Sequence, residues 1–144
     1  MIPVSSPHLM SSSHATELRV RYAETDRMGV VYYANYLRFF ESARADYWRS
    51  LGRSYKDLTA WGVAIPVVEA HCDYKRPAYY EDLLLIDVDV IEIRAASIRF
   101  AYRVARGEEL LATGYTRHAA IGTDGKPVRL PPQLVASIPP LVSR

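Results

Sequence analysis

The sequence predicts an α+β fold in which an antiparallel sheet packs on one long helix. Three observations predict it. Apolar and polar residues alternate with period two in several stretches, aromatic residues recur at helical spacing in one long stretch, and short turns join the later strands.

The first strand runs from Thr16 to Tyr22, where Leu18, Val20 and Tyr22 alternate with Glu17, Arg19 and Arg21. A loop holding Asp26 follows, and Gly29 permits a sharp change of direction there. Tyr36, Phe40, Ala43, Tyr47 and Leu51 then recur at three- and four-residue steps. Leu37 and Trp48 widen the stripe, while Arg44, Asp46 and Arg49 fall off it. The spacing predicts an amphipathic helix with Asn35 as its N-cap and Gly52 as its C-terminal stop.

So wide an apolar stripe needs a sheet to cover it. Ser54 to Trp61 reads as a short second helix. Val67 to Tyr74 reads as a strand with Val68, Ala70, Cys72 and Tyr74 on one face and Glu69, His71 and Asp73 on the other. Leu83 to Ile93 places Leu84, Ile86, Val88 and Val90 on one face, with Asp87 and Asp89 opposite. In Ser97 to Arg106, Ile98, Phe100, Tyr102 and Val104 stand against Arg99 and Arg103. Arg106-Gly107-Glu108 reads as a hairpin turn and Leu110 to Ile121 as the last strand, closed by Gly122-Thr123-Asp124-Gly125. Pro127, Pro131, Pro132, Pro139 and Pro140 keep the tail out of the sheet and over the surface.

A chain of 144 residues is long enough to bury one core without cross-links. Residues 1–14 read as a lead, 15–132 as the domain and 133–144 as a tail, with Met10 an alternative start. A net charge of +2 gives no pull toward nucleic acid. No run approaches the roughly 20 apolar residues of a membrane span, and the opening residues lack a signal peptide's basic start and apolar core. The expected compartment is the cytoplasm. The single Cys72 excludes an intramolecular disulfide and reads as core packing. Histidines at 8, 14, 71 and 118 show no metal-ligand spacing. Gly-x-Ser-x-Gly and Gly-x-Gly-x-x-Gly are absent, so neither a metal nor a resident cofactor is expected.

The chemical candidate is Asp26, a carboxylate held next to a helix start. First-turn amides can stabilise an oxyanion while a nearby acid attacks or activates water. The same Thr25-Asp26 pair would also serve simply to fix a loop through side-chain-to-backbone hydrogen bonds. Tyr22-x-x-Thr25-Asp26-x-x-Gly29-Val30-Val31-Tyr32-Tyr33-Ala34-Asn35-Tyr36-Leu37-x-Phe39-Phe40-Glu41-x-Ala43-Arg44 resembles the signature of the 4-hydroxybenzoyl-CoA thioesterase family of hotdog-fold acyl-CoA thioesterases. Looser similarity continues through Tyr74-Lys75-Arg76-Pro77-Ala78 and Ala112-Thr113-Gly114-Tyr115.

The resemblance implies a hotdog fold, a five-stranded antiparallel sheet wrapped around one central helix, with two subunits completing each active site and further pairing into a homotetramer. It implies hydrolysis of an acyl-CoA to free acid and CoA, with Asp26 as the catalytic carboxylate. The backbone N–H of Tyr33 would polarise the thioester carbonyl. Asp26 would either form a mixed anhydride or deprotonate water. Many relatives carry His where this chain has Tyr33, so no imidazole serves here, and the Tyr33 hydroxyl becomes an orienting group. Glu41 is the competing acid, because a second hotdog lineage places its catalytic Glu on this helix. Its ordinary role would be a solvent-facing charge pairing with Arg44 at i,i+3. Lys75, Arg76, Arg99, Arg103 and Arg117 are the candidates to meet the CoA phosphates. The alternative function is a hotdog module that binds acyl-CoA or acyl-carrier protein without turnover.

Overall fold

In the computed structural model, which describes residues 13–141, five strands form one antiparallel sheet in the order β1-β4-β5-β6-β3. They are β1 Ser13–Arg19, β3 Val67–Tyr74, β4 Leu83–Arg94, β5 Ser97–Arg106 and β6 Glu109–Ala119. The long helix α1 Asn35–Ser50 packs on this sheet and α2 Tyr55–Ala60 follows it. This is the helix-and-sheet arrangement that the hotdog resemblance implies. Residues 1–12 of the expected 1–14 lead, with His8 and the alternative start at Met10, lie outside the described residues, while Ser13 and His14 belong to β1. Two small features escape a reading by periodicity because they are too short to show any. They are a ladder between β2 Val63–Ala64 and β7 Ile121–Gly122, and a 3₁₀ turn at Tyr22–Glu24.

The core is the layer between α1 and one sheet face. Tyr36, Phe39, Phe40, Ala43 and Tyr47 meet Leu84, Ile86, Val88 and Val90 of β4 and Ile98, Phe100, Tyr102 and Val104 of β5. Phe40 stacks on Tyr102 with ring centroids 4.3 Å apart and planes 5° from parallel. The stripe is rotated from the expected one: Phe39 is buried and Leu37 is exposed. Arg44, expected off the stripe, is only 7% exposed, and the default of charges outward misplaced it.

Arg44 heads a buried polar chain whose direction the chemistry fixes. A guanidinium only donates, so its Nη1–H is given to Tyr102 Oη at 3.0 Å. The Tyr102 hydroxyl passes its proton toward Thr116 Oγ1 at 2.6 Å. At the far end the Ile65 carbonyl can only accept, so His118 Nδ1 donates to it at 2.9 Å, and Nε2 accepts from Thr116 at 2.9 Å. The run of donors and acceptors from Tyr102 to Ile65 closes with a neutral imidazole, and burial pushes the His118 pKa down to about 4. An unfolded His takes its proton near pH 6.5, whereas the folded one resists until about pH 4. Its contribution is therefore complete above pH 6.5 and lost as pH falls from there toward 4. Denaturant unfolding at pH 7.5 and pH 5 should show a loss of about 2 kcal/mol that is absent in His118→Gln. An equal loss in both proteins would place the acid sensitivity in other groups.

Asp87 and Asp89 lie opposite the apolar face of β4, as expected, and are buried there too, at 5% and 9% exposure. Burial raises the Asp87 carboxyl above the usual range although Arg103, its cross-strand partner, pulls it down. The proline-rich tail stays out of the sheet but does not merely lie over the surface. It forms α3 Pro132–Ser137 and buries Leu130, Leu134 and Ile138, spaced by four, so the packed unit continues past residue 132. Strand β3 is at the sheet edge with Val67, Val68 and Tyr74 exposed, and Cys72 is half-buried against the core. No helix among the described residues is long and apolar enough to cross a membrane.

Candidate active site

The segment after β1 folds back on the start of α1, and the Glu24 carbonyl is the knot. It accepts the Tyr32 N–H and the Asn35 side-chain Nδ2, each at 2.9 Å. Asp26 N donates to Val30 O at 2.8 Å and Gly29 N to Asp26 O at 3.0 Å, with Gly29 at φ +82 where other residues are strained. Glu24, 8% exposed, secures the preceding turn by accepting from Arg21 N at 2.8 Å and from the Arg21 guanidinium. The bond between Glu24 and Asn35, eleven apart in sequence, thus ties the loop holding Asp26 to the helix start.

The Asp26 carboxylate divides its work. Oδ1 accepts from Met28 N at 2.8 Å and Val30 N at 3.4 Å, which is the loop-fixing role foreseen for it. Oδ2 takes no hydrogen bond from the described residues and is exposed to solvent in the single chain.

The helix start is open. Asn35 is the first helical residue and not the N-cap, because its side chain is spent on Glu24. Ala34 occupies the cap and has no side-chain acceptor to offer. The Tyr32 carbonyl accepts from Asn35 N at 2.9 Å, so the Tyr33 N–H on the same planar peptide points the opposite way, out of the helix. The Tyr33 carbonyl accepts from Tyr36 N and from Tyr74 Oη at 2.9 Å, which turns the Ala34 N–H outward too. Neither amide has a partner among the described residues. Two aimed donors at the positive end of a helix suit an oxygen that gains negative charge.

Beside them is a cleft of about 280 Å³ lined by Val31, Tyr33, Tyr36, Tyr74, Lys75 and Arg76. The Tyr33 ring is 62% exposed, 4.8 Å from Tyr32 and edge-on to Tyr74 at 6.3 Å. Burial first, then Cys72, pushes the Tyr74 phenol up to about 12, so it stays protonated and keeps donating. Burial likewise raises the Cys72 thiol, which disfavours a thiolate there.

The structure brings Tyr33, Lys75 and Arg76 together. Arg76 reaches Glu109 at 3.5 Å and Lys75 has no ion pair among the described residues. Arg99, Arg103 and Arg117 are not brought there. Arg117 and Arg99 converge on Glu69 at 3.1 and 3.9 Å, and Arg103 opposes Asp87, on the sheet face away from α1. Glu41 does not pair with Arg44 and stands exposed about two turns into α1. Sequence reasoning missed Asn35 as a clamp and Tyr74 as a peptide-orienting donor, and only their proximity in space reveals either.

The model of the Thioesterase-like superfamily matches residues 20–138, which span the Asp26 loop, α1 and every strand of the sheet except β1. The chain belongs to the Thioesterase-like superfamily. Among superfamily relatives, an acyl-CoA thioesterase YbgC of Haemophilus influenzae is 33% identical over 131 residues, covering 90% of this chain and 96% of that protein. A putative esterase of Aquifex aeolicus is 32% identical over 117 residues, covering 81% and 91%. The crystal structure of a DHNA-CoA thioesterase from Staphylococcus aureus superposes with a TM-score of 0.82 at 35% identity, covering 87% of each chain. The thioesterase resemblance read from the Asp26 loop therefore holds at superfamily level.

Proposed function

We propose that this chain is an acyl-CoA thioesterase that hydrolyses a thioester to free acid and CoA, with Asp26 Oδ2 and the Tyr33 amide as its machinery. The observation that carries this reading is a carboxylate tied by one knot to a helix start whose amides are left uncapped. The thioester oxygen takes the Tyr33 and Ala34 N–H groups, which stabilise the tetrahedral intermediate. Asp26 Oδ2 either adds to the carbonyl carbon and expels the CoA thiolate, leaving an anhydride for water to cleave, or takes the proton of an attacking water. The Tyr33 hydroxyl, at the mouth of the cleft, orients the acyl group.

The working unit is a homodimer. Strand β3 is an edge whose outer row of backbone donors and acceptors has no partner strand among the described residues, beside exposed Val67, Val68 and Tyr74. Such an edge pairs readily with a copy of itself. Pairing would cover the solvent-facing side of the cleft beside Tyr33 and Tyr74. The test is release of free thiol from acyl-CoAs of varied chain length, aromatic ones included. Tight binding of acyl-CoA or acyl-carrier protein with no thiol released from any of them would instead support the non-catalytic module.

Lys75 and Arg76, at the cleft, are assigned to the CoA phosphates. Lys75→Gln with Arg76→Gln is expected to raise KM for CoA esters about tenfold, the scale of one or two charge-assisted bonds. The KM for a short thioester without the nucleotide should not change, and equal increases for both would remove these residues from phosphate binding.

A further inference from the structure

A second cavity, of about 370 Å³, opens between α1, α2 and the start of β3. Glu41, Arg44, Tyr55, Leu58, Ile65 and Val67 line it. Arg44 is the unusual member. Its guanidinium is almost wholly buried, yet its neighbours are the Tyr102 and Tyr55 phenols, and no carboxylate among the described residues forms an ion pair with it. Glu41, one turn earlier, does not close that gap. An unneutralised buried charge is costly and is ordinarily offset by a partner charge. The chain from Arg44 through Tyr102, Thr116 and His118 to the Ile65 carbonyl holds the guanidinium still, and the Tyr102 and Tyr55 phenols between them take two of its five N–H donors. The others remain for an acceptor in the cavity.

The cavity is at the Val67 end of β3 and the cleft beside the Tyr33 amide at the Tyr74 end. Seven residues of strand separate them by about 23 Å in one subunit. A two-fold pairing of β3 strands about Ala70–His71 sets the Val67 end of one subunit beside the Tyr74 end of its partner, one strand spacing of about 4.8 Å away. The cavity of one subunit then continues the cleft of the other.

Resting on the dimeric thioesterase reading above, we propose that Arg44 selects the far end of the acyl group held at the partner's Asp26. The end it selects carries an acceptor oxygen, with a carboxylate favoured over a hydroxyl and a hydroxyl over a methyl.

The test is kcat/KM for acyl-CoAs of one chain length ending in methyl, hydroxyl or carboxylate. The wild-type enzyme is expected to favour the carboxylate end over the methyl end by about 30-fold, the scale of a charge-assisted hydrogen bond. Arg44→Met, which matches the side chain's length without charge, should bring that ratio to about one. Thiol release with no end-group preference, or a preference that survives Arg44→Met, would overturn the proposal and leave the thioesterase reading standing. No thiol release from any substrate would overturn that reading itself. Should Arg44→Met fail to fold, the wild-type ratio and Arg44→Lys, expected to keep the preference, decide the same question.

A mixed dimer tests the exchange between subunits. Co-expressing an Asp26→Asn chain with an Arg44→Met chain, under separate tags, leaves one site with both residues if Arg44 acts across the interface. That dimer should regain the carboxylate preference. If Arg44 served its own subunit's Asp26, no site would hold both and the preference would be absent.

Discussion

Asp26→Asn is expected to cut thioester turnover by about 10³-fold, the scale of a lost positioned base or nucleophile. Asn keeps an Oδ1 acceptor for the Met28 and Val30 amides that Asp26 now satisfies. The loop, and with it the Tyr33 amide, therefore keeps its place. What disappears is the charged Oδ2, and the amide Nδ2 in its place can neither add to a carbonyl carbon nor take a proton from water. Thermal unfolding beside a thiol-release assay separates the two roles of this residue. Lost turnover with an unchanged Tm assigns the chemistry to Asp26. A folded Asn variant with full activity would move the search to Glu41, and Glu41→Gln under saturating substrate would then be the informative comparison.

Gly114→Ala is expected to have the largest effect on stability. A Cβ at this position would stand 2.6 Å from a ring carbon of Phe40 and closer still to the His71 carbonyl oxygen of the neighbouring strand. Neither can yield cheaply: Phe40 is fully buried against Tyr102, and the His71 oxygen belongs to the β3–β6 ladder. Overpacking a well-filled core typically costs about 1–3 kcal/mol, and with two rigid neighbours the upper end applies. For a domain of this size the Tm should fall by about 10 °C. Phe40→Leu in the same chain should recover part of that loss, because it removes one of the two obstacles. An unchanged Tm for Gly114→Ala alone would mean that α1 does not approach β6 so closely.

The sheet and the long helix were legible because their signals are local. The alternation of Ile98, Phe100, Tyr102 and Val104, and the spacing of Tyr36, Phe40, Ala43 and Tyr47, each come from one element facing one core. Signals made by chain segments far apart were not legible. Arg44 reads as a surface charge until Tyr102 and Thr116 are seen to receive it from other strands. The burial of Asp87 and Asp89 on the face away from α1 was not legible for the same reason. Leu130, Leu134 and Ile138 were hidden by the prolines around them. At the site, the Asp26 loop was recognisable by its resemblance. The state of the amides was not, since it depends on Asn35 turning away from the cap to hold Glu24. The five basic candidates were equivalent in sequence, and only the fold distinguishes Lys75 and Arg76, at the cleft, from three arginines on the far side of the sheet.

Ala34 has a consequence for the stability of α1. Most helices gain roughly 1 kcal/mol from a serine, threonine or aspartate where α1 has alanine. Under the proposed mechanism such a residue would occupy the very amides offered to the thioester oxygen, acting as a tethered inhibitor. A sturdier helix and turnover would then make opposite demands on residue 34.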